Sequence, residues 1–161
     1  MRTTKFAALS VSHRKGITIV PGSWIDASYN AFFRKECQYF LPNRIEEESK
    51  GEIKIPEFGD VCLGYFSDTE IAGAEFFFPL QRVEALKGKC PVFAQVIQGA
   101  EELHRIEKVE TYPNPYEPVE INVPRNPEIM VTVEVETFGV DYPEPEKIIP
   151  EKMPENWPTF A

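Results

Sequence analysis

Residues 91–108 read PVFAQVIQGAEELHRIEK, the clearest helix signal in the chain and the element expected to cover its core. Val92, Phe93, Val96, Ile97, Ala100, Leu103 and Ile106 recur at spacings of three and four, which places them on one stripe. Gln95, Gln98, Glu101, Glu102 and Arg105 face away. Pro91 is tolerated in a first helical turn, where its missing N–H costs nothing. His104, Arg105 and Lys108 fall at the negative end of the helix dipole. The spacing predicts a helix over 91–108.

Upstream, the pattern changes to short β-type runs. KFAALSV (5–11) and ITIV (17–20) read as strands, with SHRKG between them as a polar, glycine-ended connection. The β-branched residues of ITIV suit a pleated surface, and Pro21-Gly22 stops the run. CQYFLP (37–42) is a third strand, ended by a proline that cannot donate to a ladder. NRIEEESKGEIKIP (43–56) reads as a solvated loop closing in a short edge strand. VCLGYF (61–66) and EFFFPLQRVEAL (75–86) are aromatic-rich strands of a buried kind. The ridge Phe76-Phe77-Phe78 needs a cover, because such a segment left open is prone to aggregate. The helix over 91–108 is the expected cover.

After residue 110 the composition shifts. Ten of the 15 prolines lie in the last 51 residues, so YPNPYEPVEINVPRNP and DYPEPEKIIPEKMPENWP read as extended chain. Between them EIMVTVEVETF (128–138) alternates apolar and polar residues, which predicts a strand near 129–136 docked on a sheet edge. The expected organisation is a β-rich domain over 1–110 and an acidic, proline-rich extension over 111–161. The fold class is α+β: a small, twisted, mostly antiparallel sheet from strands at 5–11, 17–20, 37–41, 61–66 and 75–84, one packed helix, and the extended C-terminal segment.

Charge divides along the same line. Of the net charge of −9, residues 1–110 carry −2 and residues 111–161 carry −7, while the first 44 residues carry +5. This asymmetry fits a basic face that meets an acidic partner, and it equally permits the chain's own tail to lie there. Arg14, Lys15, Arg34, Lys35 and Arg44 are interleaved with Trp24, Tyr29, Phe32, Phe33, Tyr39 and Phe40. Cations attract phosphates and flat rings stack bases, so a nucleic-acid surface is one reading of that set. A protein-binding patch is another, and Trp24, Arg34, Lys35, Tyr39, Arg14 and Lys15 are its candidate binding residues. The plainest reading is a solvated face over core aromatics, with Trp24 as an anchor beside the Pro21-Gly22 turn.

Catalytic signals are sparse. Cys37, Cys62 and Cys90 are odd in number and widely spaced, which fits buried reduced thiols better than a disulfide framework or a zinc ribbon. His13 and His104 stand far apart in sequence, and no GxGxxG, GxxxxGKS, GxSxG or HExxH occurs. No metal site and no cofactor are expected. The glutamates of 46–48 and the tail acids lie in hydrated stretches that give no reason for tuned acid-base chemistry. The balance falls against an enzyme without excluding one. The apolar segment from Phe6 to Val11 is too short for a secretory core, and no run reaches the roughly 20 residues of a membrane span. An intracellular protein, cytoplasmic or nuclear, is expected, with no membrane partner.

The order ITIVPGSW, CQYFLP, LQRVEAL, PVFAQVIQGAEEL resembles the N-terminal module of invertebrate, often transposon-associated proteins that carry a DUF4806 domain. There a V-V-P-x-x-W run precedes a Y-W-P-P-like strand, a K-V-x-R-like strand and a short helix with an A-x-x-E pattern. The resemblance covers about residues 5–106 and departs at Phe40, where a second tryptophan is usual. It implies a small β-rich module with one helix and no established activity. The expected function is a non-catalytic protein-binding or regulatory module working through a sheet edge or the aromatic and basic patch. Its partner is another protein, or a second copy added by strand pairing. Two alternatives are an acidic inhibitor that mimics nucleic acid toward a nucleic-acid-handling protein, and a weak nucleic-acid binder acting through the basic face.

Overall fold

A computed structural model describes residues 18–20, 24–26, 39–65, 70–113, 122–126, 128 and 134–149. The strand expected at 5–11 and most of that at 129–136 fall outside these residues, and 134–136 are not in a strand. The fold is α+β. In chain order the elements are β1 (Thr18–Val20), β2 (Trp24–Asp26), β3 (Phe40–Pro42), the single-turn α1 (Ile45–Glu48), β4 (Asp60–Tyr65), β5 (Glu70–Pro79), a 3-10 turn (Glu84–Leu86), β6 (Val92–Gln95), α2 (Ala100–Glu107), β7 (Thr111–Pro113) and β8 (Asn122–Pro124).

Every strand pair is antiparallel. The sheet runs β6-β4-β5-β2-β1-β8-β7, with β3 beside β5. β5 organises it because its ten residues are long enough to take partners along both edges. β4 lies along one edge; on the other, β2 faces Phe77–Pro79 and β3 faces Glu70–Ala72. Pro79 ends β5, earlier than the expected strand over 75–84, since a proline has no N–H to continue the ladder. Beyond residue 110 the chain returns to the sheet: β7 pairs with β8, and Ile19 of β1 faces Asn122 of β8.

Side chains alternate across a strand, so successive phenylalanines of β5 enter different layers. Phe78 faces Ile25 in the ladder and joins a core of Ile25, Leu103 and Ile106, with Phe58, Leu80, Val96 and Val109 around them. α2 covers this face. Phe77 faces Cys62 and belongs to the opposite layer, with Leu86 and Cys90. The expected helical cover therefore serves one face of the phenylalanine ridge, and the 80–91 connection serves the other.

The single helix expected over 91–108 is two elements. Val92 to Gln95 alternate half-buried and exposed, the period of a strand, and pair with β4. The N–H of Val96 donates to the Gly59 carbonyl at 2.7 Å, a bond outside any helical ladder. Gly99 then adopts a left-handed conformation (φ 83°) and opens α2 as its N-cap, a conformation glycine takes without a steric penalty. Val92 to Ile97, apolar but for Gln95, fits both periodicities, and here pairing with β4 decides. In the 43–56 segment, α1 forms where Asn43 Oδ1 accepts from the Ile45 N–H at 3.1 Å. The short edge strand expected before Pro56 does not form.

α2 also fixes residue 128. The Arg105 guanidinium donates to both Glu102 and Glu128, at 2.6–3.1 Å. Its hydrogen bond is the main reason the Glu128 carboxyl is held below the ordinary carboxylate range. A depressed carboxylate contributes stability above its unfolded pKa and loses it as pH falls through the folded one, so this tie weakens only in acid.

Leu103 tests the α2 face. Leu103→Ala is expected to cost about 3 kcal/mol of unfolding free energy in a urea titration, the range for truncating a buried leucine. A loss below about 1 kcal/mol would show that α2 does not close this core.

Candidate functional site

The layer of β5 that α2 leaves uncovered is closed by the chain between β5 and β6. After Pro79 the backbone leaves the sheet, and the Val83 N–H donates to the Pro56 carbonyl at 2.9 Å. The 3-10 turn that follows delivers Leu86, and Cys90 N donates back to Leu86 O at 3.3 Å. Leu86 and Cys90 thereby pack on Phe77 and Cys62, all four buried, with Val83 and Val92 half-buried against them. The result is an apolar floor with an aliphatic rim. Phe93 sits beside it. Cys62 faces Val92 and Val61 faces Ala94, so Phe93 is the extra residue of a bulge, and the residue is 44% exposed. Bulges commonly re-aim a side chain in this way at a sheet edge.

Behind the floor, Asp60 opens β4 with its side chain wholly buried. One carboxylate oxygen accepts from the Lys54 ammonium and the other from the Glu57 N–H at 3.0 Å. The Asp60 N–H in turn donates to the Glu57 carbonyl at 3.0 Å. These bonds fold residues 54–60 into a clamp, and the Pro56 and Gly59 carbonyls on it receive Val83 and Val96. Asp60 therefore positions both the connection over Phe77 and the start of the α2 layer.

Cys62 lies close behind the clamp, in the buried layer. Burial first, and then the nearby Asp60 carboxylate, push its thiol up to about 12, with Lys54 acting in the opposite direction. A thiol in that state is neutral at ordinary pH and is no nucleophile. What this layer presents at its surface is aliphatic: Val83 and Val92, half-buried over four buried residues. Among the described residues, no group of three or more His, Cys, Asp or Glu is placed to hold a metal ion. Among the same residues, no helix is long and apolar enough to cross a membrane.

Of the candidate binding residues, Arg14, Lys15, Arg34 and Lys35 lie outside the described residues. Trp24 lies in β2, its backbone in register with Val20 on one side and Pro79 on the other. Tyr39 is half-buried, and the Lys147 ammonium stands 5.1 Å from its ring centre. Sequence reading did not single out Val83, Leu86 or Asp60, and it placed Val92 on a helical stripe instead of in this layer. The one signal for Asp60 is its position, a lone acid after Phe58-Gly59 and immediately before an apolar strand.

Two outcomes check this description. Asp60→Asn removes the nearer charge partner of Lys54 and leaves it only Glu57, at 3.9 Å; because Lys54 reaches solvent, the expected loss is about 2 kcal/mol, below the usual figure for breaking a fully buried pair. Peptide mapping after iodoacetamide treatment at pH 8 is expected to find Cys62 unmodified in the native protein and modified in urea. Equal labelling in both conditions would contradict the burial and the raised pKa.

Residues 43–125, just over half of the chain, match the family model for cyclophilin type peptidyl-prolyl cis-trans isomerase/CLD. No curated protein matches the chain significantly. The matched segment contains α1, β4, β5, the 3-10 turn, β6, α2, β7 and β8. This finding overturns the resemblance to the DUF4806-associated module. Two of the four runs behind that resemblance, ITIVPGSW and CQYFLP, precede the matched segment altogether. The non-catalytic protein-binding or regulatory module falls with it, as do the acidic inhibitor and the weak nucleic-acid binder. The physical reason for the misreading lies in the chemistry: rotation about an Xaa-Pro amide breaks no covalent bond, so it needs no nucleophile, acid-base pair or metal motif that a sequence would display. The chain belongs to the cyclophilin-type peptidyl-prolyl cis-trans isomerase family.

Proposed function

We propose that this chain binds extended protein segments containing Xaa-Pro bonds and accelerates their cis-trans isomerisation. The observation that carries this reading is the family match over 43–125, which contains the whole Phe77 layer and the clamp behind it. The uncatalysed rotation takes tens to hundreds of seconds, because amide resonance must be lost as the bond twists. Removing the amide from water and holding the ring in a twisted geometry lowers that barrier with no covalent intermediate.

The Phe77 layer supports such a role. A pyrrolidine ring is compact and apolar, and the half-buried Val83 and Val92 over Phe77, Leu86 and Cys90 offer a surface of matching chemistry, with Phe93 alongside. The partner in this reading is a protein substrate. The buried thiols Cys62 and Cys90 support a reducing compartment, cytoplasm or nucleus.

NMR exchange spectroscopy on a short Xaa-Pro peptide tests the activity. At a substoichiometric amount of the chain, exchange between the cis and trans resonances is expected to accelerate at least tenfold. Val83→Asp, which puts a charge on the apolar rim, is expected to remove most of that gain while leaving the circular dichroism spectrum unchanged. Exchange as slow with the intact chain as without it would overturn the proposal.

A further inference from the structure

The acidic C-terminal segment returns to the N-terminal part of the sheet. At Ile148 it forms an antiparallel bridge with Phe40 of β3: the Phe40 N–H donates to the Ile148 carbonyl and the Ile148 N–H to the Phe40 carbonyl, each at 2.8 Å. Glu146 pairs with the Arg44 guanidinium, and Lys147, itself bonded to Glu144, lies over the Tyr39 ring. Three consecutive residues of the tail thus each meet a separate group within residues 39–44.

Strand geometry explains why the contact is this short. In an antiparallel strand, alternate residues turn their backbone groups to the same edge, so Phe40 and Pro42 face the tail while Leu41 faces β5. Pro42 has no N–H, so the ladder stops after one residue pair. On the tail, Pro143 and Pro145 precede the bridge and favour extended chain. Arg44 and Glu146 are half or more exposed, so salt and a competing carboxylate have access to their pair. A short bridge with an exposed ion pair is suited to exchange with a similar strand from another chain.

We infer that the outer edge of β3, with Tyr39 and Arg44, is a docking edge for extended, acidic, proline-flanked segments of a protein substrate, and that residues 144–149 occupy it as a resident competitor. This rests on the isomerase reading for what the docked chain is presented to, and it specifies the substrate class. The tail itself is the template: an acid two residues before the bridging aliphatic residue, within the Xaa-Pro bonds Glu144-Pro145 and Ile149-Pro150.

A fluorescein-labelled peptide with the sequence of residues 141–150, DYPEPEKIIP, provides the probe. Its anisotropy is titrated with the full chain, with Ile148→Pro, which removes the donor to Phe40, and with Glu146→Lys, which repels Arg44 from an exposed site. Both variants are expected to bind the peptide at least tenfold more tightly than the parent chain. Adding Arg44→Glu to the Ile148→Pro variant is expected to abolish the gain, and a peptide with lysine at the position of Glu146 to restore it. Equal affinity for the parent chain and both variants would overturn the inference. So would a concentration-dependent dimer of the parent chain in light scattering, which would put a second copy's tail on this edge. Binding is read without turnover: the affinity order with no accelerated exchange would sink the isomerase reading alone, and accelerated exchange without the order would sink the docking edge alone.

Discussion

The structure depends on a single constraint: β5 is paired on both edges and sends adjacent phenylalanines into opposite layers. Phe78 enters the layer under α2 and Phe77 the layer under the 80–91 connection. β4 takes one edge of the strand, and β2 and β3 share the other. A strand placed this way cannot slip by one residue without exchanging its two phenylalanines between layers. The register it imposes on β4 places Cys62 against Phe77, and β4 in turn sets β6, Val92 and the bulge at Phe93.

The second support is electrostatic. Asp60 is a buried carboxylate at the start of β4, tied to Lys54 and to the Glu57 backbone. Buried charge is costly unless it is paired and hydrogen-bonded, so here it secures a definite loop geometry more than net stability. Carbonyls on that loop hold Val83 and Val96, one belonging to each layer around β5. The two layers are coupled through a few backbone bonds, and burial, helped by the Asp60 carboxylate, keeps the Cys62 thiol protonated.

Much of the fold was legible where local pattern and tertiary pairing agree. The β-branched run 17–20, the strand over 61–66 and the α+β class follow from short-range chemistry, and the structure has β1, β4 and the antiparallel sheet there. The 91–108 stretch was misread because Val92 to Ile97 satisfy both periods, and the partner that chooses, β4, lies some thirty residues away. The Phe77 layer was illegible for a related reason. Its members come from residues 62, 77, 83, 86, 90 and 92, and no spacing joins them until β5 and the 3-10 turn do. The charge split was the most informative global feature: the acidic tail does meet a basic residue of the first 44, and that residue is Arg44.

The family lay hidden for a chemical reason. Covalent catalysis leaves nucleophiles, acids and metal ligands in a sequence, whereas rotation about an amide can be promoted by a dry, well-shaped surface built from valine, leucine and phenylalanine. The most direct test of that account is a titration of the 15N-labelled chain with a short Xaa-Pro peptide, followed by its amide resonances. The account predicts saturable shifts concentrated at residues 80–95, around Val83, Val92 and Phe93. Amides there that stay unmoved at saturating peptide would contradict it.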